Sequence, residues 1–171
     1  MMKRPQQLRP ESVEAMFRGH YGSLVRSLTL VAGDRETAED VVQEAFAQAY
    51  LHWSRISSYG DPVGWVRRVA LNRLFNVRRG RFRRWRAMGR LSSLHPDVTD
   101  EATQVTNRVD VNAALEELSL RQRTAVALYY VEDLPVAEIA IVLGVSQGTV
   151  KSQLHRSREV LRQRMEVRHE Q

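Results

Sequence analysis

The stretch GVSQGTVKSQLHRSREVLR, residues 144–162, combines helix-forming residues with an unusual supply of small and basic side chains. On a helix of about 100° per residue, its apolar positions fall on one side and its small, basic and hydroxyl-bearing positions on the other side or its flanks. Lysine and arginine bind guanine acceptors or phosphates, serine is versatile, and histidine stacks or donates. This face is suited to the major groove of DNA. The predicted DNA-binding residues of the helix are Gly148, Thr149, Lys151, Ser152, His155, Arg156 and Arg158.

The residues before Val145 supply the first half of a helix-turn-helix. Pro135 suits a first helical position, where its missing N–H is not needed. Gly144 is able to adopt the positive φ of the tight turn, and Ser146 is a good N-cap for the second helix. A plain amphipathic bundle helix with a solvated basic face is the alternative, but the cap, the turn glycine and the small Gly148 favour groove reading. A helix-turn-helix alone does not identify the class of protein that contains it.

A second basic segment lies in the middle of the chain. Residues 62–96 contain ten arginines and no acidic residue, whereas the net charge of all 171 residues is only +6. One basic block in an otherwise acidic chain indicates a polyanionic partner, and nucleic acid before membrane. A solvated helix face is the alternative, but such faces usually mix both signs.

Hydrophobic periodicity predicts an all-α fold of two small helical domains joined by a flexible linker, with the helix-turn-helix in the second domain. Hydrophobic residues make up 43% and charged residues 27%, which is the balance of a globular chain. Helices are predicted over about 12–31, 36–53 and 63–79, with Phe17 and Tyr50 in their buried stripes. The predicted domains cover 1–90 and 111–171, and the acidic segment 91–110 is the predicted linker.

Three segments resemble the regions of bacterial sigma factors, in the order that the family has them. DRETAEDVVQEAFAQAY (34–50) and GDPVGWVRRVALNRLFNVRR (60–79) resemble the core-binding and promoter-melting regions. Residues 115–162 are similar to the family's reader of the minus-thirty-five box. With only these two domains, the chain resembles the short extracytoplasmic-function (ECF) group of RNA polymerase sigma factors.

The resemblance implies that the second helix binds the β′ coiled coil of core RNA polymerase, with the β flap as a further polymerase contact. The face of this helix away from its apolar stripe is acidic, which suits a protein partner better than DNA. An ordinary solvated face is the alternative. The predicted polymerase-binding residues are Glu36, Glu39, Asp40, Gln43, Glu44 and Gln48, with Leu51 exposed beside them.

The resemblance also implies that the following loop and helix melt the minus-ten element and hold flipped bases of the non-template strand. Arginine, an aromatic and amides on one face suit single-stranded DNA, where stacking contributes about 1–3 kcal/mol per base. Melting needs no catalytic group, only a pocket that prefers the unstacked base. Trp65 is predicted to be core, and Leu71 to lie beside the DNA face. The predicted minus-ten residues are Ser58, Tyr59, Arg68, Asn72, Phe75, Asn76 and Arg79.

The arginine-dense stretch 78–90 has two interpretations: it grips the DNA backbone, or it docks an acidic anti-sigma protein. Gly64 occupies a position where the family commonly has a less flexible residue, which leaves the start of that helix open. Lys151 and His155 lie at base-reading positions that vary within the family. The promoter sequence therefore does not follow from the resemblance.

Three other classes of protein are weighed against a polymerase-dependent DNA-binding factor. An enzyme is disfavoured because the five histidines have no metal-ligand spacing and no P-loop or Ser-His-Asp context appears, so no catalytic residue, metal or cofactor is assigned. A polymerase-independent repressor or activator explains the helix-turn-helix but not the acidic helix. A pure polymerase adaptor leaves the basic helix unexplained. With no cysteine, signal-peptide pattern or bilayer-length apolar run, we expect a cytoplasmic chain without membrane insertion, monomeric when free.

Overall fold

The computed structural model describes residues 12–88 and 113–169, with side chains described for 12–80 and 113–164. Over these residues the predicted all-α fold is confirmed. The helices are α1 (Val13–Ala32), α2 (Arg35–Leu51), α3 (Trp53–Ile56), α4 (Pro62–Met88), α5 (Leu120–Tyr130), α6 (Val136–Leu143) and α7 (Gln147–His169), and a helical turn covers 113–116. The predicted linker 91–110 and the side chains of 81–90 lie outside the described residues.

The boundary between α1 and α2 lies where the sequence predicts it. The Ser12 hydroxyl caps the start of α1 by accepting from the backbone N–H of Ala15 at 3.1 Å. Gly33 ends the helix with a φ of 85°, and its N–H donates to the Thr29 carbonyl. Asp34 then caps α2 by accepting from the Thr37 N–H at 2.7 Å. These caps set the direction of α2, and with it the orientation of its acidic face.

Helix α4 begins one residue earlier than predicted and is longer, since it continues to Met88. The carboxylate of Asp61 accepts from the backbone N–H of Gly64 at 2.7 Å, and this bond closes the first turn. A Cβ on Gly64 would meet that carboxylate, which lies at the end of the exposed Asp61 side chain and would have to shift. The Asp61 cap fixes the start of α4, which the sequence left open.

The N-terminal helices enclose a dry core. Leu24 and Leu28 of α1 and Leu74 of α4 have no exposed surface, and burying such a side chain contributes about 1.5–3 kcal/mol. Its other fully buried hydrophobic residues are Met16, Val31, Ala38, Val42, Ala45, Ala49, Ile56, Val66 and Ala70.

The C-terminal helices pack against one another and against the N-terminal half. Helix α5 starts with a reciprocal capping box between Ser119 and Gln122. It packs on α7 within its own half and on α1 across the seam, and α4 also contacts α6. Buried hydrophobic residues of the two halves form one continuous cluster. The sequence predicted two domains on a tether and gave no sign that they would be packed together.

An ion pair is buried in this seam. The Nε of Arg67 on α4 lies 2.6 Å from the Oε2 of Glu132, and the two side chains are only 9% and 3% exposed. Glu132 lies in the turn between α5 and α6, next to Asp133, which has a φ of 52°. Asp is one of the few residues besides glycine that adopt this conformation readily.

Candidate nucleic-acid interface

The helix-turn-helix forms with the predicted turn chemistry. Helix α6 ends at Gly144, whose φ of 65° is the left-handed conformation expected of it. The Ser146 hydroxyl accepts from the backbone N–H of Thr149 at 3.1 Å, which caps the first turn of α7. The prediction for Pro135 was wrong by one residue: Pro135 is the N-cap, and α6 begins at Val136.

Helix α7 buries one face and exposes the other as its wheel predicts. Val150, Leu154 and Ser157 are buried, and the Ser157 hydroxyl donates to the Gln153 carbonyl at 2.7 Å. All the predicted DNA-binding residues of this helix are exposed: Gly148, Thr149, Lys151, Ser152, His155, Arg156 and Arg158. We call this exposed surface the groove face. It presents hydroxyl, imidazole, ammonium and guanidinium groups, and at Gly148 no side chain stands between the helix backbone and a bound DNA strand.

Arg158 lies at the flank of the groove face and is held toward α5. Its Nε donates to the Tyr130 hydroxyl at 2.8 Å, and its guanidinium lies 5.8 Å from the ring centroid of Tyr129 and 5.9 Å from that of Tyr130. Such cation–π contacts fix the guanidinium in place. Arg156 therefore remains the better placed of the two arginines to reach a base edge.

Helix α4 exposes most of the residues predicted to hold single-stranded DNA. Arg68, Asn72, Asn76 and Arg79 are exposed, whereas Phe75 is half-buried and packs against the core. Leu71, predicted to lie beside this face, is instead a core residue with 2% exposure. A leucine one position from an exposed asparagine can face either way on a wheel, and its packing in the core cluster decides it.

The loop before α4 brings two further predicted residues to one end of this helix. The exposed Ser58 hydroxyl donates to the Arg55 carbonyl at 2.7 Å. Tyr59 is half-buried and packs against the core, as Trp65 does. Of the predicted minus-ten residues, the two aromatics are thus the ones most engaged with the protein interior.

Sequence reasoning missed the contacts that join the two predicted DNA surfaces. The guanidinium of Arg68 donates to the backbone carbonyl of Ile141 on α6 at 3.2 Å. Its neighbour Arg67 forms the buried pair with Glu132. Burial of His20 at this seam lowers its pKa, and the nearby Arg67 guanidinium lowers it further, against the opposing charges of Glu132 and Asp61. The helical pattern placed Arg68 on the exposed face, but it gave no sign of the partners that Arg67 and Arg68 contact across the seam.

The acidic face of α2 carries all six predicted polymerase-binding residues. Four of them are exposed and two half-buried: Glu36, Asp40, Gln43 and Glu44, then Glu39 and Gln48.

Several of these side chains also bond within the chain. Glu39 pairs with Arg35 at 2.6 Å, and Glu44 pairs with Arg73 of α4 at 2.6 Å. Exposed pairs of this kind contribute only about 0–1 kcal/mol, so they yield readily to a partner.

An exposed apolar patch adjoins the acidic face. Leu51 is 68% exposed, as predicted, but Tyr50 is 64% exposed and Phe17 38%, although both were assigned to buried stripes. Phe17 stacks on Tyr21 at 4.5 Å between ring centroids and meets Phe46 edge-on at 5.0 Å. A helical stripe has edges, and Phe17 and Tyr50 lie at those edges, where no other helix of residues 12–88 and 113–169 covers them.

Within residues 12–88 and 113–169, no cluster of three or more metal-ligating side chains occurs. In the same part of the chain, no helix is both long and apolar enough to cross a bilayer.

The fold and its exposed groove face define a helix-turn-helix DNA-binding protein. Comparison with protein families narrows the class: residues 16–87 match the model of sigma-70 region 2, and residues 108–161 match that of sigma-70 region 4.

Curated relatives identify the group. The chain is 33% identical over 153 residues to the ECF RNA polymerase sigma factor SigL of Mycobacterium tuberculosis, covering 88% of this chain and 86% of the relative. It is 32% identical over 161 residues to the RNA polymerase sigma-E factor of Streptomyces antibioticus, covering 91% of this chain and 85% of that protein. The chain belongs to the ECF sigma factors of RNA polymerase.

Solved structures show the same fold. The sigma factor RpoE of Bartonella quintana, in complex with the anti-sigma factor NepR, superposes with a TM-score of 0.77 at 21% identity, covering 90% of this chain and 96% of that one. CnrH, in complex with the cytosolic domain of CnrY, gives a TM-score of 0.62 at 20% identity, with coverage of 91% and 88%.

Proposed function

We propose that this ECF sigma factor binds core RNA polymerase and directs promoter-specific initiation by reading the minus-thirty-five box with α7 and melting the minus-ten element with α4. The observation that carries the proposal is the groove face, because it exposes every predicted base-reading side chain on a helix whose other face is buried. Membership of the ECF sigma factors identifies core RNA polymerase as the protein partner.

The minus-thirty-five contact follows from the chemistry of α7. Arg156 and Lys151 match the guanine acceptors of the major groove, and Ser152 is compatible with several base edges. Gly148 near the helix start permits close approach to the phosphate backbone. We assign Arg158 to a phosphate contact and not to base reading, because its guanidinium lies against Tyr129 and Tyr130 at the flank of the groove face.

The minus-ten contact rests on the exposed row of α4. Arg68 and Arg79 supply positive charge for a single-stranded backbone, and Asn72 and Asn76 supply hydrogen bonds for flipped bases. The half-buried Phe75 and Tyr59 each retain some surface for stacking. In this assignment α4 binds and holds the open strand, and no bond is made or broken by the chain.

The acidic face of α2 and the adjoining apolar patch form the proposed polymerase contact. Exposed carboxylates steer the approach of a basic partner, and exposed aromatics such as Tyr50 supply the apolar area that holds a complex together. The β′ coiled coil is the proposed partner here, with the β flap as a second polymerase contact. An anti-sigma protein is a further candidate partner, since both structural neighbours named above were solved in complexes, one of them with a named anti-sigma factor.

The proposal includes a domain division at 1–90 and 111–171 with a linker over 91–110, a non-catalytic role, a cytoplasmic location and a monomeric free state. The family models fall on either side of that linker, one ending at 87 and the other beginning at 108.

Promoter binding with and without core polymerase tests the proposal against a polymerase-independent repressor. A sigma factor binds a promoter duplex tightly only when core polymerase is present. We therefore expect the apparent Kd for a DNA fragment that carries both promoter elements to fall at least about tenfold when core polymerase is added. A fragment with both elements scrambled is the control. Nanomolar binding of the duplex by the chain alone, unchanged by polymerase, would instead establish the repressor.

A further inference from the structure

The buried ion pair between the two halves has no role in reading DNA or in binding polymerase as proposed above. Arg67 extends from the buried side of α4, and Glu132 comes from the turn after α5, 65 residues away in sequence. The Nε–Oε2 distance of 2.6 Å and the nearly complete burial of both side chains make the contact specific. It fixes one particular placement of the helix-turn-helix half on the promoter-melting half.

A buried pair of charges suits a contact that must be reversible. Its Coulomb attraction is offset by the hydration that both groups lose, so a buried pair adds little net stability over an apolar contact. If the halves separate, both charges return to water, and the hydration that they regain largely offsets the lost attraction; the remaining cost of opening is the exposure of the apolar contacts in the seam. Removal or reversal of one partner alone is different, because it leaves an uncompensated charge in the closed seam.

The neighbouring arginine is also occupied in the closed arrangement. Arg68, proposed above to contact the open DNA strand, donates instead to the Ile141 carbonyl in the last turn of α6. The Ile141 carbonyl also accepts from the Gly144 N–H at 3.3 Å, and carbonyls at the C-terminal end of a helix carry negative partial charge that attracts a guanidinium. The seam thus engages a DNA-binding group of one half with the helix-turn-helix of the other.

The closed arrangement is too compact for a two-element promoter. Elements centred near minus ten and minus thirty-five are about 25 base pairs apart, or about 85 Å along B-form DNA. A compact chain of this length has a radius of gyration of about 16 Å and is about 40 Å across. With α4 and α6 in contact, the two DNA-reading surfaces cannot reach both elements at once.

Resting on the proposed function, we propose that the Arg67–Glu132 pair is an autoinhibitory latch, which together with the apolar contacts of the seam holds the two halves of the free chain closed and must break before the chain engages a promoter. Any partner that binds the open form, core polymerase first, has to supply the free energy of opening.

Energy transfer between dyes on the two halves tests the latch directly. The chain has no cysteine, so cysteines introduced at the exposed Ser54 and Gln163 label uniquely. Arg67→Glu or Glu132→Arg alone places like charges at the seam, and each should raise the ratio of open to closed molecules at least about tenfold, seen as lower transfer. The double swap Arg67→Glu with Glu132→Arg should restore high transfer.

Helix content by circular dichroism and a matched variant exclude trivial explanations. Glu138→Arg makes the same charge reversal at an exposed position of α6, and transfer should stay at the wild-type level. Unchanged transfer in both single reversals overturns the latch. Loss of transfer that the swap does not restore also overturns it, because it attributes opening to general damage.

Transcription with core polymerase tests the autoinhibition. Opening in advance removes the part of the binding free energy spent on opening, so Glu132→Arg should reach half-maximal run-off transcription at a concentration at least about tenfold below that of the wild type. Glu138→Arg should match the wild type. An opened Glu132→Arg chain that needs the wild-type concentration overturns autoinhibition.

The two arms separate a failure of this inference from a failure of the proposed function. If the wild type directs no transcript with core polymerase, the proposed function fails and the autoinhibitory role fails with it. The energy-transfer result then still decides whether the ion pair holds the halves together, since it involves neither polymerase nor DNA.

Discussion

Replacing Arg156 by alanine removes the side chain best placed to read a base. Arg156 is exposed on the groove face, in the third turn of α7, and Leu154 and Ser157 on either side of it are buried. Because the backbone is held by those buried neighbours, truncation of an exposed side chain should leave α7 in place. The effect on DNA binding then reports the lost contact and not a misfolded helix.

The expected loss is large at one promoter position and small elsewhere. A bidentate arginine–guanine contact contributes about 1–3 kcal/mol of discrimination, which corresponds to about 5- to 150-fold in binding. Arg156→Ala should therefore bind the preferred promoter by that factor more weakly, while promoters already altered at that base pair should be bound as the wild type binds them.

Arg158→Ala provides the matched comparison on the same helix. Its guanidinium is held by the Tyr130 hydroxyl at 2.8 Å, which favours a phosphate contact. We expect a uniform loss across promoter sequences and a salt dependence shallower by about one unit in the slope of log K against log salt.

Competition binding of the polymerase complex to a library of minus-thirty-five variants, at several salt concentrations, measures both quantities. If Arg156→Ala weakens all sequences equally and lowers the salt slope, Arg156 is a phosphate contact and the reasoning from the groove face is refuted. Equal behaviour of the Arg156 and Arg158 variants would refute the distinction between them.

Three further changes test the docking face, the turn and the seam. Asp40→Lys should weaken binding to core polymerase at least about tenfold in a pull-down titration, with helix content unchanged, and undiminished binding would exclude the acidic face as the contact. Ser146→Ala removes the cap on the Thr149 N–H and should cost about 0.5–2 kcal/mol of unfolding free energy in urea; no loss would mean that the cap is dispensable. Burial lowers the pKa of His20, so as pH falls through about 6.5 the unfolded chain takes up the proton first and stability decreases. His20→Gln should flatten this decrease between pH 7.5 and 5.5 whereas the exposed His52→Gln should not, and equal slopes in both variants would contradict the account.

Local patterns predicted the local structure well. The Gly33-Asp34 break, the positive φ of Gly144 and the cap at Ser146 follow from the preferences of single residues, and the structure confirms all three. The two faces of α7 follow from helical periodicity, because one side must be buried. These are properties that a window of ten or twenty residues contains.

Packing between distant elements was not predictable in this way. Helical periodicity placed Arg68 on the exposed face of α4, but it did not reveal that Arg67 pairs with Glu132 or that Arg68 contacts a carbonyl of α6. Tyr50 follows the spacing of its stripe but lies at its edge, where none of the described helices covers it. The outcome at each position depends on which helix arrives opposite it, and no local pattern records that.

Run-off transcription by purified core polymerase and this chain, over a library of promoter sequences, tests the central claim most directly. We expect transcripts that start at a defined subset of templates sharing one minus-thirty-five and one minus-ten sequence, and none with core polymerase alone. Absence of transcripts from every template, or transcripts that do not depend on either element, would contradict it.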